Sequence, residues 1–267
     1  MKKFKLTKNS KVVNGITLHQ IQALKDFSNV KKGDLGGWVE KDENLSQEDT
    51  AWVYGDAKVY GNAKVYGNAE VYGNAEVYGN AEVYGNAWVY GDTWVYGNAR
   101  VYGDALVSGD ARVYGDALVF EDAQVYGDAR VSGNARVYGD AEVYGDARVS
   151  DNAQVDGDAR VYESAWVYGD ARVSDNAQVY GDARVSRNAW VSGNARVYES
   201  AWVSGNARVY DNAQVYGDAE VYGDAEVYGD AEVSDTLVYG DERMGFIKRT
   251  DEREYREYLK LKDKFEK

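Results

Sequence analysis

The chain contains no cysteine and no proline, and among its 267 residues it has a single histidine, His19. Without cysteine there can be no disulfide framework and no thiolate metal site. Without proline, every strand residue keeps an N–H to donate, as expected where nearly every strand is flanked by others. No stretch approaches the roughly 18 apolar residues of a membrane span. The basic opening from Met1 to Lys8 has no apolar run behind it, which argues against a signal peptide and for a cytoplasmic setting. The G-x-S-x-G, P-loop and dinucleotide fingerprints are missing too, so the glycines answer to another spacing.

That spacing is six. Valine recurs at every sixth position from Val53 to Val233 without an insertion or deletion, within the pattern A-x-V-Y-G-[DN]. An unbroken period of this length describes a solenoid in which each hexapeptide supplies a short strand and a tight corner. Side chains alternate across a strand, so the Ala and Val of each unit share one side and x and Tyr the other. The small apolar pair must face inward, because x takes Lys, Glu, Arg, Gln or Trp freely. Gly and Asn or Asp then make the corner, where positive φ is tolerated. Three divisions follow: a cap and irregular first coil over 1–50, the repeat body over 51–238, and a capping segment over 239–267. In the last, residues 251–266 are expected to form a helix with Thr250 as its N-cap. Val238 arrives one residue early, so the phase breaks there.

The pattern V-Y-G-[DN]-A-x resembles the hexapeptide repeat of left-handed parallel β-helix proteins. That resemblance implies an all-β fold with three hexapeptides per triangular coil, about ten coils and a left hand. At about 4.8 Å per layer the body would be roughly 50 Å long. Nearer the N-terminus, Thr17–Phe27, Gly33–Val39 and Glu40–Ser46 resemble the head of YdcK-like bacterial and phage hexapeptide proteins, which precedes a β-helix. That family implies a fold and no established activity. Hexapeptide acyltransferases use a histidine as general base, and carbonic anhydrases on this fold use three to hold a metal. Here His19 stands alone outside the repeats, and no loop interrupts the coils to shape a donor cleft. No catalytic residue, cofactor or metal is therefore expected, although an acyltransferase remains an alternative that would depend on His19.

Coils of eighteen residues would stack the outward positions into columns. One column alternates Arg148, Trp166, Arg184 and Trp202, a spacing suited to guanidinium–indole stacking. Beside it the usual Tyr becomes Ser132, Ser150, Ser186 and Ser204, and Ser174 and Ser192 lie near Arg172 and Trp190 on another face. Small side chains next to large planar ones would leave a shallow furrow able to stack a nucleotide or anchor a partner. Corner carboxylates also align, as in Asp92, Asp110, Asp128 and Asp146 or Asp104, Asp122, Asp140 and Asp158. A divalent cation could relieve their repulsion, or Asp and Asn could alternate only because both suit the corner.

The net charge of −14 is concentrated in the body, where 51–238 carries 13 basic and 30 acidic residues. Its end is wholly acidic, with Asp218, Glu220, Asp224, Glu226, Asp230 and Glu232 and no base between 214 and 238. Such a surface repels duplex DNA and attracts basic proteins. The expected function is a non-enzymatic binding scaffold. In one version it inhibits a basic or nucleic-acid-handling protein by presenting an acidic, DNA-like rod; in another it sequesters a nucleotide through the Arg/Trp furrow. No membrane association is expected, and self-association is left open.

Overall fold

The computed structural model describes residues 2–245, and the helix expected over 251–266 lies outside them. The described residues form an all-β parallel solenoid preceded by an antiparallel hairpin. Each hexapeptide folds as the alternation demands. In Ala75-Glu76-Val77-Tyr78 the strand is Glu76–Val77, Ala75 and Val77 are fully buried, and Glu76 and Tyr78 reach the surface. Burial of each valine contributes roughly 1.5–3 kcal/mol, and the valines stack into one continuous core. Thr93, a buried hydroxyl in the alanine column, satisfies its oxygen by donating to the Tyr90 carbonyl at 2.6 Å.

Coils are joined by two strand hydrogen bonds per hexapeptide and, at many corners, by a third. Glu76 N–H donates to the Thr93 carbonyl at 2.9 Å, Tyr78 N–H to Val95 at 3.0 Å, and Asn80 N–H to Gly97 at 2.7 Å. Val77 therefore lies between Val59 and Val95, eighteen residues away in each direction. The strands sort into three parallel sheets, two of 11 strands and one of 14 that includes the head. The stack is thus somewhat deeper than the ten coils expected, because irregular hexapeptides at both ends join it. Val39 pairs with Val59 and Leu45 bridges to Val65 at one end, while Met244 takes a valine's place beside Val227 at the other. The missing residue before Val238 is absorbed in the corner at Asp235, so Val238 still lies beside Val221.

Only the first corner position is left-handed. Glycines there have φ between +56° and +80°, whereas no Asn or Asp at the second corner position of a hexapeptide has positive φ. Those second-position amides instead form ladders. Asn62 donates to Asn80, Asn80 to Asn98 and Asn98 to Asp116, at 3.1, 2.9 and 2.7 Å. Each ladder stops at an aspartate, because a carboxylate accepts the bond but has no N–H to pass on.

Seven left-handed corners in the body between 121 and 211 are not glycine: Glu121, Asp151, Glu163, Asp175, Arg187, Glu199 and Asp211. A Cβ at such a corner points at the backbone of the next coil; on Gly85 it would meet Gly103 N at 2.8 Å. The six acidic residues turn this close approach into a bond. Glu163 accepts from Gly181 N–H at 2.9 Å and Asp175 from Gly193 N–H at 3.0 Å, and the other four bond likewise. Every one of the seven has glycine in the coils directly above and below it. Two successive side chains would compete for the same space.

The head extends a sheet as well as covering the core. β1 (Phe4–Val13) and β2 (Ile16–Ala23) form a hairpin whose turn, Asn14-Gly15, has φ +52° and +79°. Asn-Gly is the pair that such a two-residue turn favours. β2 pairs antiparallel with β3 (Leu35–Val39), and β3 runs parallel to Lys58–Val59. The outermost strand is then β1, where Lys5, Lys8 and Lys11 discourage pairing with another chain. Trp52, assigned to the surface by its column, is instead buried between Phe4 and Phe27, with ring centroids 6.2 and 5.3 Å away. Beside it the fully buried Lys3 ammonium donates to the Ala51 carbonyl at 2.7 Å. Burial pulls its pKa down to about 8 against the opposing pull of Asp49.

The corner chemistry predicts a contrast between two identical substitutions. Gly85→Asp, with glycine at 67 and 103, gains the carboxylate bond and should cost about 1 kcal/mol or less. Gly145→Asp, stacked under Glu163, should cost about 2 kcal/mol or more. Urea melts followed by circular dichroism compare them; equal costs would refute the alternation rule.

Candidate functional site

The outward side chains of each hexapeptide are the second corner residue, x and Tyr. The buried alanine between the corner residue and x leaves a trough along the axis. The buried valine between x and Tyr leaves a second gap, which the side chains themselves fill. Tyrosines stack from coil to coil, as in Tyr126, Tyr144, Tyr162, Tyr180, Tyr198 and Tyr216, with ring centroids 4.8 to 5.1 Å apart. Such pairs contribute about 0.5–1.5 kcal/mol each beyond area burial. Some tyrosines also lean toward the x residue of the following coil: Tyr60 donates to Glu76 at 2.9 Å and Tyr126 to Glu142 at 3.0 Å.

Arg148, Trp166, Arg184 and Trp202 share one sheet in the expected order. Their column forms one wall of an open groove of about 940 Å³. The opposite wall is the corner column Asp146, Ser164, Asp182, Ser200 and Asp218. The furrow is therefore on the other side of the Arg/Trp column from the serines expected to make it. Ser150 and Ser186 are seats rather than openings: Trp166 and Trp202 donate their indole N–H to them at 3.2 and 3.0 Å. Trp190 does the same to Ser174 at 3.0 Å. This is the Tyr-to-x diagonal with small and large exchanged, and Ser186 is left only 1% exposed.

The stacking expected along Arg148–Trp202 does not form; guanidinium–indole contacts occur at Arg112 over Trp94, 4.8 Å, and Arg208 over Trp190, 6.0 Å. Neither Arg148 nor Arg184 has a carboxylate within ion-pair distance among the described residues. Arg172 and Trp190 lie on a different sheet, where Arg172 faces Asp156 at 3.9 Å. The structure does not bring them to the groove.

The six acidic residues expected to act together are divided among the three sheets. Asp218 and Glu220 close the groove's end, Glu226 pairs with Arg243 at 3.3 Å on the second face, and Glu232 lies on the third. Asp224 and Asp230 end amide ladders from Asn206 and Asn212. They form a collar around one coil, so a single flat partner meets only a third of it. The aspartate column Asp104, Asp122, Asp140 and Asp158 lines a second groove of about 630 Å³ with Leu106, Gln124 and Glu142. Among the described residues no group of three metal-ligating side chains is close enough to hold an ion. His19 sits in β2 opposite Val39, far in the fold from either groove. No helix among the described residues is long and apolar enough to cross a membrane.

The groove's second wall was missed in the sequence, although a signal was present. Tyr144-Gly-Asp-Ala-Arg148 and Tyr180-Gly-Asp-Ala-Arg184 alternate, coil by coil, with Tyr162-Glu-Ser-Ala-Trp166 and Tyr198-Glu-Ser-Ala-Trp202. Asp thus accompanies Arg, and Ser accompanies Trp. The family model described as the YdcK beta solenoid repeat matches residues 95–109, 111–127, 123–139, 129–142, 153–169, 177–193, 189–205 and 201–217. No curated protein matches the chain.

The tyrosine columns make stability pH-dependent. Burial, reinforced by neighbouring Glu or Tyr side chains, pushes Tyr54, Tyr66 and Tyr162 up to about 12, and Tyr60 and Tyr126 higher still. Because the folded values exceed the unfolded one near 10, this contribution is complete below about pH 10 and is lost as pH rises through about 12. Tyrosinate absorbance from these five residues, isolated as the difference from their Tyr→Phe variants, should therefore rise together with loss of the circular dichroism signal; their ionisation near pH 10 in a fully folded protein would contradict it.

Proposed function

As a β-solenoid of the YdcK repeat family, the chain offers long, stiff faces, and we propose that it is a non-enzymatic binding scaffold working through the Arg/Trp groove. The observation that carries this reading is the pair of guanidiniums, Arg148 and Arg184, left without carboxylate partners and alternating with the indoles of Trp166 and Trp202 along one ladder. Arginine and tryptophan are the side chains that supply most binding energy at interfaces, and here both are held on a rigid ladder. The coil-to-coil register of eighteen supports three hexapeptides per turn, and the left hand follows the hexapeptide resemblance. The absence of a histidine near either groove supports a role without catalysis.

The acidic, DNA-like version of the scaffold has less support. Its carboxylates encircle the last regular coil, and Arg100, Arg160 and Arg243 interrupt the acidic columns by pairing with Glu82, Glu142 and Glu226. A partner's basic groove would meet cations as well as anions.

Co-purification separates the faces. Material retained by the wild-type protein should be lost on Arg148→Glu/Arg184→Glu and kept by Arg160→Glu/Arg196→Glu, which lie on another sheet. Retention by the groove variant at the wild-type level would overturn the assignment.

A further inference from the structure

We infer that the groove takes a neutral, β-1,4-linked oligosaccharide laid along the solenoid axis; this rests on the binding-scaffold reading of the same groove. The first argument is periodicity. Flat indoles recur at Trp166 and Trp202, two coils and therefore about 10 Å apart. In a β-1,4-linked hexose chain each ring is turned over relative to its neighbour, so the same ring face returns at every second residue. One ring spans close to one coil. An extended chain in register with the ladder would present its apolar C–H face to each indole in turn.

The second argument is the polar lining. Hydroxyl groups both donate and accept, and the groove supplies both partners in alternation: Arg148 and Arg184 donate, Asp146 and Asp182 accept, and Ser164 and Ser200 do either. A few placed polar groups beside flat apolar surface are what orient a ligand in a site.

The third argument is charge. With Asp218 and Glu220 at its end, the groove holds four carboxylates against two guanidiniums. The whole repeat body is acidic as well, so a polyanion such as single-stranded nucleic acid is repelled. A polypeptide strand is disfavoured for a different reason. The strand N–H groups along this face, those of Arg148, Trp166, Arg184 and Trp202, already bond to the next coil, so no strand edge is open for β-augmentation inside the groove.

The test is calorimetric titration with soluble oligomers of β-1,4-linked glucose and β-1,4-linked N-acetylglucosamine, from disaccharide to hexasaccharide, with single-stranded DNA as the polyanion. Affinity for one of the sugar series should climb between the disaccharide and the trisaccharide, the shortest oligomer that places a ring on both indoles. Trp202→Ala should weaken binding about tenfold or more. Trp202→Phe, which keeps a ring, should stay within a few-fold of wild type, as should Trp88→Ala on another face. Absence of binding to every sugar, equal binding by Trp202→Ala, or tighter binding of DNA would each overturn the inference. The binding-scaffold reading fails separately: if no sugar binds but the Arg148→Glu/Arg184→Glu variant still loses material retained by wild type, the groove stands and only its ligand class is wrong. If that variant loses nothing, both fall.

Discussion

Coil-to-coil hydrogen bonding of a backbone whose inward side chains are only alanine and valine is the constraint on which the rest depends. Two strand N–H groups per hexapeptide, joined at many corners by a third, find carbonyls in the next coil, and the remaining geometry follows from keeping that register. Small inward residues keep the coil narrow enough for short strands to close around it without a void. Because each layer touches only its neighbours, stability accumulates along the stack, and each end must be covered separately. The Asn-Gly hairpin, with Phe4 and Phe27 on Trp52, does this at one end.

The same register decides what the corners and the surface can do. A left-handed corner brings its Cβ against the next coil's backbone, so glycine is the rule and a carboxylate every second coil is the workable exception. Outside, repetition favours self-complementary columns: stacked phenols, amide ladders, and diagonal pairs of Tyr with Glu or Ser with Trp. The groove arises where these devices leave something unpaired. The indoles are satisfied by serine, and the neighbouring arginines are left with free guanidiniums beside a wall of Asp and Ser.

Most of this architecture is legible in the residues. The valine period announces the solenoid, the alternation of small apolar and variable positions assigns the core, and residues eighteen apart do lie in adjacent coils. The column Arg148, Trp166, Arg184, Trp202 was readable for the same reason. Side-chain direction was not. The indoles could have stacked on the arginines or leaned onto the serines, and both options satisfy the column. At Trp166 and Trp202 the indole is seated on serine with no arginine of the described residues over it, and the furrow lies on the other wall. Trp52 could not be placed by its column either, because the residues that bury it belong to the irregular head.

What the chain determines by itself is therefore the repeat, its inward face and its net charge, since these depend only on composition and on spacing along one dimension. Tertiary structure alone decides which carboxylates share a face, which arginines remain unpaired and where the groove opens. Those properties depend on contacts between coils and on the lean of each side chain, and a period of six is the same for every choice.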